Sequence, residues 1–257
     1  MIIFQSMPSN IHGILFEGYQ LFIYIMAQEV TRLVIENSTL KTASTQLPEL
    51  AEQDVRIQVL YTAITNSDVR LLEGKHRNDY FGTGAVGNVV AAGKKVGHCK
   101  VGDIVGVYHS NSNCGEFKTG FATFLQVHQS QVLFIPTSIE PEQAAGLIGN
   151  GIIAFNAISK LESDSTLAIV GTGSLAYLAT QFATKLSNIK VTIFGYEGGE
   201  ELAKEWGAEG FVALSVDSLV KNTEKFQFTL VTDVVKEEDA LNILNLSWRN
   251  STIYYAV

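Results

Sequence analysis

Between Val30 and Pro136 short runs rich in β-formers recur, and beyond Pro136 apolar residues fall at the spacing of helices and buried strands. The runs V-T-R-L-V-I (30–35), V-R-I-Q-V-L-Y-T-A (55–63), G-N-V-V-A-A-G (87–93), I-V-G-V-Y (104–108), A-T-F-L-Q-V (122–127) and V-L-F-I-P (132–136) are punctuated by Gly, Asn and Asp at irregular intervals. Many short strands with glycine corners predict a small, highly curved barrel rather than a flat sheet. Within this region Ser67 to Glu73 reads as a brief helix, with Asp68 near its start.

Past Pro136 the period changes. Thr137-Ser138 followed by P-E-Q-A-A-G-L-I (141–148) sets a capping residue, a proline and early acids ahead of an apolar run, which predicts a helix start. Gly151 to Leu161 continues as a second helix or as an extension across a bend. Strands and helices then alternate: strand 167–170, helix 175–186, strand 191–194, helix 198–206, strand 211–214, a helix around 216–222, strand 228–231, helix 237–246 and strand 252–257. About five strands joined by helices predict an α/β parallel sheet, since parallel neighbours need crossover connections. The change of pattern divides the chain into a β domain at 26–148 and an α/β domain at 149–257. Residues 1–25 read as an N-terminal extension, either an appendage ahead of Met26 or a hairpin particular to this protein.

The most informative stretch is T-L-A-I-V-G-T-G-S-L-A, residues 166–176. A short buried strand runs into Gly171-Thr172-Gly173-Ser174-Leu175-Ala176, a G-x-G-x-x-A turn, and then into an amphipathic helix. In such a turn the first glycine permits the tight bend, the second lets backbone approach a pyrophosphate, and a small third residue lets helix and sheet pack. The phosphates would lie at the helix N-terminus. An NAD site usually has an acid at the end of the next strand to hold the ribose hydroxyls. Gly195 stands there, followed by Tyr196 and Glu197. Loss of the acid tips the balance toward NADP, although no Arg follows and Glu197, Glu200 and Glu201 carry the wrong sign for a 2′-phosphate.

Composition narrows the partners. Apolar residues make up 46% and charged residues 17%, enough for a sizeable core. The formal charge is −8, and no basic run is longer than Lys94-Lys95, so nucleic acid is not an expected partner. Leu15 to Met26 is apolar but interrupted by Glu17 and Gln20 and has no Lys or Arg before it, which matches neither a signal peptide nor a membrane span. Cys99 and Cys114 form no C-x-x-C pair and read as reduced thiols, so a cytoplasmic protein acting on a small molecule is expected.

Taken in order, V-R-I-Q-V-L-Y-T-A-I-T-N-S-D (55–68), L-L-E-G (71–74), G-x-G-A-V-G-N-V-V (82–90), K-V-G-D-I-V-G-V (100–107), G-F-A-T-F-L-Q-V (120–127), I-P-T-S-I-E-P-E-Q-A-A (135–145), the glycine turn and E-L-A-K-E-W-G-A-E (201–209) make a connected set. The set resembles the medium-chain dehydrogenase/reductase superfamily, the zinc alcohol dehydrogenases and quinone oxidoreductases. The resemblance implies a GroES-like catalytic barrel followed by a Rossmann-like NAD(P)-binding domain, with the active site in the cleft between them. The zinc ligands of that family fall here on Thr65, Thr83-Gly84 and about Gly149, none of which offers thiolate or imidazole. No zinc is therefore expected, and the zinc-free quinone-reductase branch is the one implied.

The same resemblance assigns Ser67 to proton relay or substrate hydrogen bonding, with a helix-capping role as its alternative, and places Asp68 beside it. The relay's His corresponds to about Arg70, and the hydroxyl usually offered to the nicotinamide falls on Ile153, with Asn150 and Asn156 nearby. Family members continue through a sixth strand, often used in dimer pairing. A homodimer stays open, although that strand has no counterpart before Val257, whose strand would leave an edge to be covered, conceivably by residues 1–25. Two functions fit: a zinc-independent, NAD(P)(H)-dependent oxidoreductase of a small carbonyl, enal, quinone or alcohol, or a non-catalytic nucleotide-binding pseudoenzyme or truncated fragment of one.

Overall fold

The computed structural model describes residues 3–5, 29–36, 39–73, 82, 84–108, 120–215, 218, 225–232, 243 and 246–255. The expectations for most of residues 1–25, for Gly74, Thr83 and Cys114, and for most of the helices at 216–222 and 237–246 lie outside that set. The chain divides into Met1–Gly149 and Asn150–Val257.

The first unit is built on β4 (Asp54–Ala63), whose alternate residues Val55, Ile57 and Val59 point into one core. One edge of β4 pairs antiparallel with β5 (Gly84–Ala92). The other is shared by β7 (Phe124–His128), against residues 54–58, and by β1 (Ile3–Gln5), against Tyr61–Ala63. From β5 the sheet continues through β6 (Ile104–Tyr108) to β8 (Val132–Phe134). Ala85 and Val89, Val105 and Val107, and Leu125 and Val127 complete the core at every second position, as the pleat requires. Register shifts in the β4–β5 ladder at Arg56/Ile57 and Val59/Tyr61 bend the sheet. Buried Arg56 is held by Pro48 O at 2.8 Å and Gln126 Oε1 at 3.0 Å, and desolvation lowers its pKa.

A second, two-stranded sheet joins β2 (Glu29–Glu36) to β3 (Thr39–Gln46). β3, T-L-K-T-A-S-T-Q, was not expected from the pattern, because most of its residues are exposed and no apolar alternation marks it. Its β-branched threonines suit a strand, and the ladder to β2 supplies the order. The N-terminal strand β1 pairs with β4 within the first unit. Helix α1 (Asn66–Leu72) follows β4 directly. Helix α2 (Pro141–Leu147), with Pro141 at its first turn, packs Ala144, Ala145 and the following Ile148 around Val86 of β5.

The second unit opens with helix α3 (Asn150–Ile158). It continues through β9 (Thr166–Val170), α4 (Ser174–Ser187), β10 (Lys190–Gly195), α5 (Glu200–Glu205), β11 (Gly210–Ala213), β12 (Phe226–Val231) and β13 (Ser247–Tyr255). The strands lie in the order β11-β10-β9-β12-β13 and every pairing is parallel. Leu167 and Ile169 of β9 bury into one core, and Ala168 and Val170 into another. A parallel sheet covered on both faces therefore reads as a continuous apolar run. On α4 the buried residues Leu175, Ala176, Ala179, Thr180 and Ala183 form one stripe, and the three alanines let the helix lie close to the sheet.

Candidate functional site

The strand order places β9 at the centre of the second unit, with β10 on one side and β12 on the other. The chain leaves β9 toward β10 and returns later to β12, so the direction of winding reverses there. In open parallel sheets ligands bind beyond the carboxyl ends of the strands at that reversal. The residues found there are the glycine turn after β9 and Thr232 after β12.

Gly171 has φ +132°, a left-handed backbone that favours glycine, and its N–H donates to Phe194 O of β10 at 2.9 Å. Gly173 is extended and caps α4. The first intrahelical bond runs from Tyr177 N to Gly173 O at 3.0 Å. The N–H groups of Ser174, Leu175 and Ala176 therefore precede that ladder and point out of the helix end, where the dipole also favours an anion. The side chains of Leu175 and Ala176 turn inward and are buried, so these two residues offer the site only their backbone. Ser174 adds a polar side chain to the turn, and its Oγ accepts a hydrogen bond from Asn150 Nδ2 of α3 at 2.7 Å.

At the end of β10, Gly195 is buried and leaves no room for a side chain. A Cβ there would lie 2.3 Å from Thr172 Cγ2 and 3.0 Å from Phe211 Cε2. The second residue of the glycine turn thus fills the place from which a ribose-binding acid would start. Tyr196, next in the chain, is 65% exposed, and Glu197, Glu200 and Glu201 are exposed around the start of α5. Across the reversal, Thr232 is buried and ties β12 to β9, with its N–H and its Oγ both donating to Val170 O at 3.0 Å. Sequence reasoning passed over Thr232, since a threonine ending an apolar strand carries no signal until the strand order is known.

The residues expected to be catalytic lie in the first unit. Ser67 is the second residue of α1; its side chain is outside the described set. The capping role offered as its alternative belongs to Thr65. Asp68 is 1% exposed, and its carboxylate accepts from Thr65 N at 2.7 Å, Thr65 Oγ at 2.8 Å and Gly82 N at 2.7 Å. Asp68 is thus a positioning residue: it closes the capping box on Thr65 and anchors the backbone at Gly82.

The positions to which the resemblance assigns zinc do not suit the metal. Thr65 Oγ is engaged with Asp68, and Gly84 and Gly149 have no side chain to donate. Among the described residues no group of three or more His, Cys, Asp or Glu is arranged to hold a metal. Cys99 is buried, and desolvation with the charge of Asp103 raises its pKa, which disfavours a reactive thiolate. Among the described residues no helix is long and apolar enough to cross a membrane.

Comparison with known proteins places these features in a family context. Residues 51–154 match the alcohol dehydrogenase GroES-like domain. A probable cinnamyl alcohol dehydrogenase, 8A, from Oryza sativa subsp. japonica is 28% identical over 199 residues, which is 63% of this chain and 55% of the rice protein. The chain thus spans just over half the length of that curated relative. Among solved structures, CAD from Helicobacter pylori complexed with NADP(H) superposes with a TM-score of 0.77 at 19% identity, over 90% of this chain and 76% of that one. The quinone oxidoreductase from Coxiella burnetii does so with a TM-score of 0.69 at 16% identity, over 90% of this chain and 83% of that one.

Proposed function

We propose that this chain, which belongs to the medium-chain dehydrogenase/reductase superfamily, is a zinc-independent oxidoreductase that moves a hydride between NAD(P)(H) and a small carbonyl, enal, quinone or alcohol. The observation that carries the reading is the glycine turn at the sheet's reversal: Gly171 in a left-handed bend, Gly173 without a side chain, and three outward N–H groups at the head of α4. A bound nicotinamide would supply or accept the hydride. The chain's part is to bind and to orient. Ser174, Leu175 and Ala176 present backbone N–H groups to the pyrophosphate, Gly173 lets it approach the backbone, Thr172 and Gly195 shape the edge of the ribose site, and exposed Tyr196 offers a face to the adenosine. Ser67 or water handles the proton, and Asp68 fixes the start of the helix that carries Ser67.

NADP is favoured because no carboxylate stands at residue 195 to repel a 2′-phosphate, while Glu197, Glu200 and Glu201 keep that preference small. The absence of thiolate and imidazole donors at Thr65, Gly84 and Gly149 supports a reaction without zinc. The test has two stages. NADPH or NADH in the millimolar range is expected to raise the melting temperature and to quench Trp206, which lies just beyond α5. A panel of quinones and enals is then expected to oxidise the bound cofactor. No response at the first stage contradicts both binding and catalysis; binding with no turnover across the panel leaves a nucleotide-binding pseudoenzyme.

A further inference from the structure

The bond between Asn150 and Ser174 has a consequence for how the glycine turn meets an anion. Ser174 Oγ accepts from Asn150 Nδ2 at 2.7 Å, so one lone pair is engaged and the hydroxyl proton must be donated in another direction. Inside a helix a serine commonly returns that proton to the carbonyl four residues earlier. Here that carbonyl is Val170 O, which belongs to β9 and already accepts both the N–H and the Oγ–H of Thr232 at 3.0 Å. The back-bond is closed off, and Ser174 is the first residue of α4, at the end that presents unpaired N–H groups.

We propose that Asn150 is a positioning residue for dinucleotide binding: its amide holds the Ser174 hydroxyl so that the O–H joins the backbone N–H groups as a donor to the pyrophosphate. The inference rests on the dinucleotide reading of the turn. It gives α3 a part in recognition beyond packing, since Asn150 begins α3 and reaches the first residue of α4. Sequence reasoning weighed Asn150 beside Asn156 as a structural residue near the nicotinamide; the bond directs it to the phosphates instead.

The test measures dissociation constants for ADP, which carries the pyrophosphate, and for adenosine, which does not, in four proteins: wild type, Asn150→Ala, Ser174→Ala and the double variant. A hydrogen bond to a charged group is worth enough that each single substitution is expected to weaken ADP roughly tenfold, with adenosine unchanged. Because the two side chains act as one unit, the double variant is expected to bind ADP no more weakly than Ser174→Ala. Asn150→Ala binding ADP as tightly as wild type overturns the proposal, as does an additive double variant. Equal losses for ADP and adenosine also overturn it, because a role confined to packing α3 against α4 weakens both. If Asn150→Ala does not fold, Ser174→Ala still tests the hydroxyl on which the proposal depends, and ADP bound as tightly as by wild type overturns it. Wild-type protein that binds neither ADP nor NADPH overturns the dinucleotide reading itself, and with it this inference; wild-type binding with unaltered variants overturns this inference alone.

Discussion

Two residues show how the same side-chain chemistry divides between holding the fold and shaping the site. Asp68 reads in sequence as a catalytic neighbour of Ser67, and its type and position suit that role. Its surroundings do not: the carboxylate is nearly fully buried and meets three donors from Thr65 and Gly82. Replacing it by Ala leaves Thr65 N and Gly82 N without their partner, and a loss of about 2–4 kcal/mol is expected. Chemical denaturation of the Asp68→Ala protein checks this, and stability within about 0.5 kcal/mol of wild type would contradict the positioning role. Gly195 is the complementary case. Its lack of a side chain is plain in the sequence, but not its cause, which is the Thr172 methyl and the Phe211 ring in the space a Cβ would take. Gly195→Asp is expected to cost about 1–3 kcal/mol through overpacking. Thr172→Ser, which removes only the methyl, is expected to recover part of that loss when combined with it. A double-mutant cycle in thermal denaturation reads the coupling, and simple additivity would contradict the contact.

Elements were legible where their burial was one-sided or complete. The strand, turn and helix from Thr166 to Ser187 could be read because β9 is buried on both faces and α4 carries one apolar stripe. β3 could not, since its exposed threonines show no period and its order comes from pairing with β2. The pattern starts α1 at Ser67 whereas the helix begins at Asn66 behind its cap Thr65, because the box closes through a carboxylate three residues on and the sequence does not mark which hydroxyl that carboxylate meets. At this scale the acidic start of α5 carries a prediction. Glu200 and Glu201 are exposed beside the end of β10, where a 2′-phosphate would be received. Glu200→Gln combined with Glu201→Gln is expected to tighten NADPH by about two- to fivefold relative to NADH at low ionic strength, with the gain shrinking as salt is added. Equal changes for the two nucleotides would place the phosphate elsewhere.

For the whole molecule, the order of motifs along the chain carried more of the reading than any single motif. In the first unit a curved antiparallel sheet precedes α2, and in the second α3 precedes a five-stranded parallel sheet, in the order that the runs and periods indicate. Strand order in the second unit was beyond the sequence, because it depends on which side of β9 the chain returns to. That return sets Thr232 beside Val170 and gives the glycine turn its place at the reversal. The pairing of Asn150 with Ser174 was hidden for a related reason: 24 positions separate them, and neither has a pattern that points to the other.

Receipt of a dinucleotide pyrophosphate by the turn at Gly171–Ala176 is open to direct observation. Amide chemical shifts of isotope-labelled protein, followed during a titration with NADPH, test it most directly. Saturable shifts are expected, largest at Gly173, Ser174, Leu175 and Ala176 and reproduced by ADP. Saturating NADPH that leaves those four amides unmoved would contradict it.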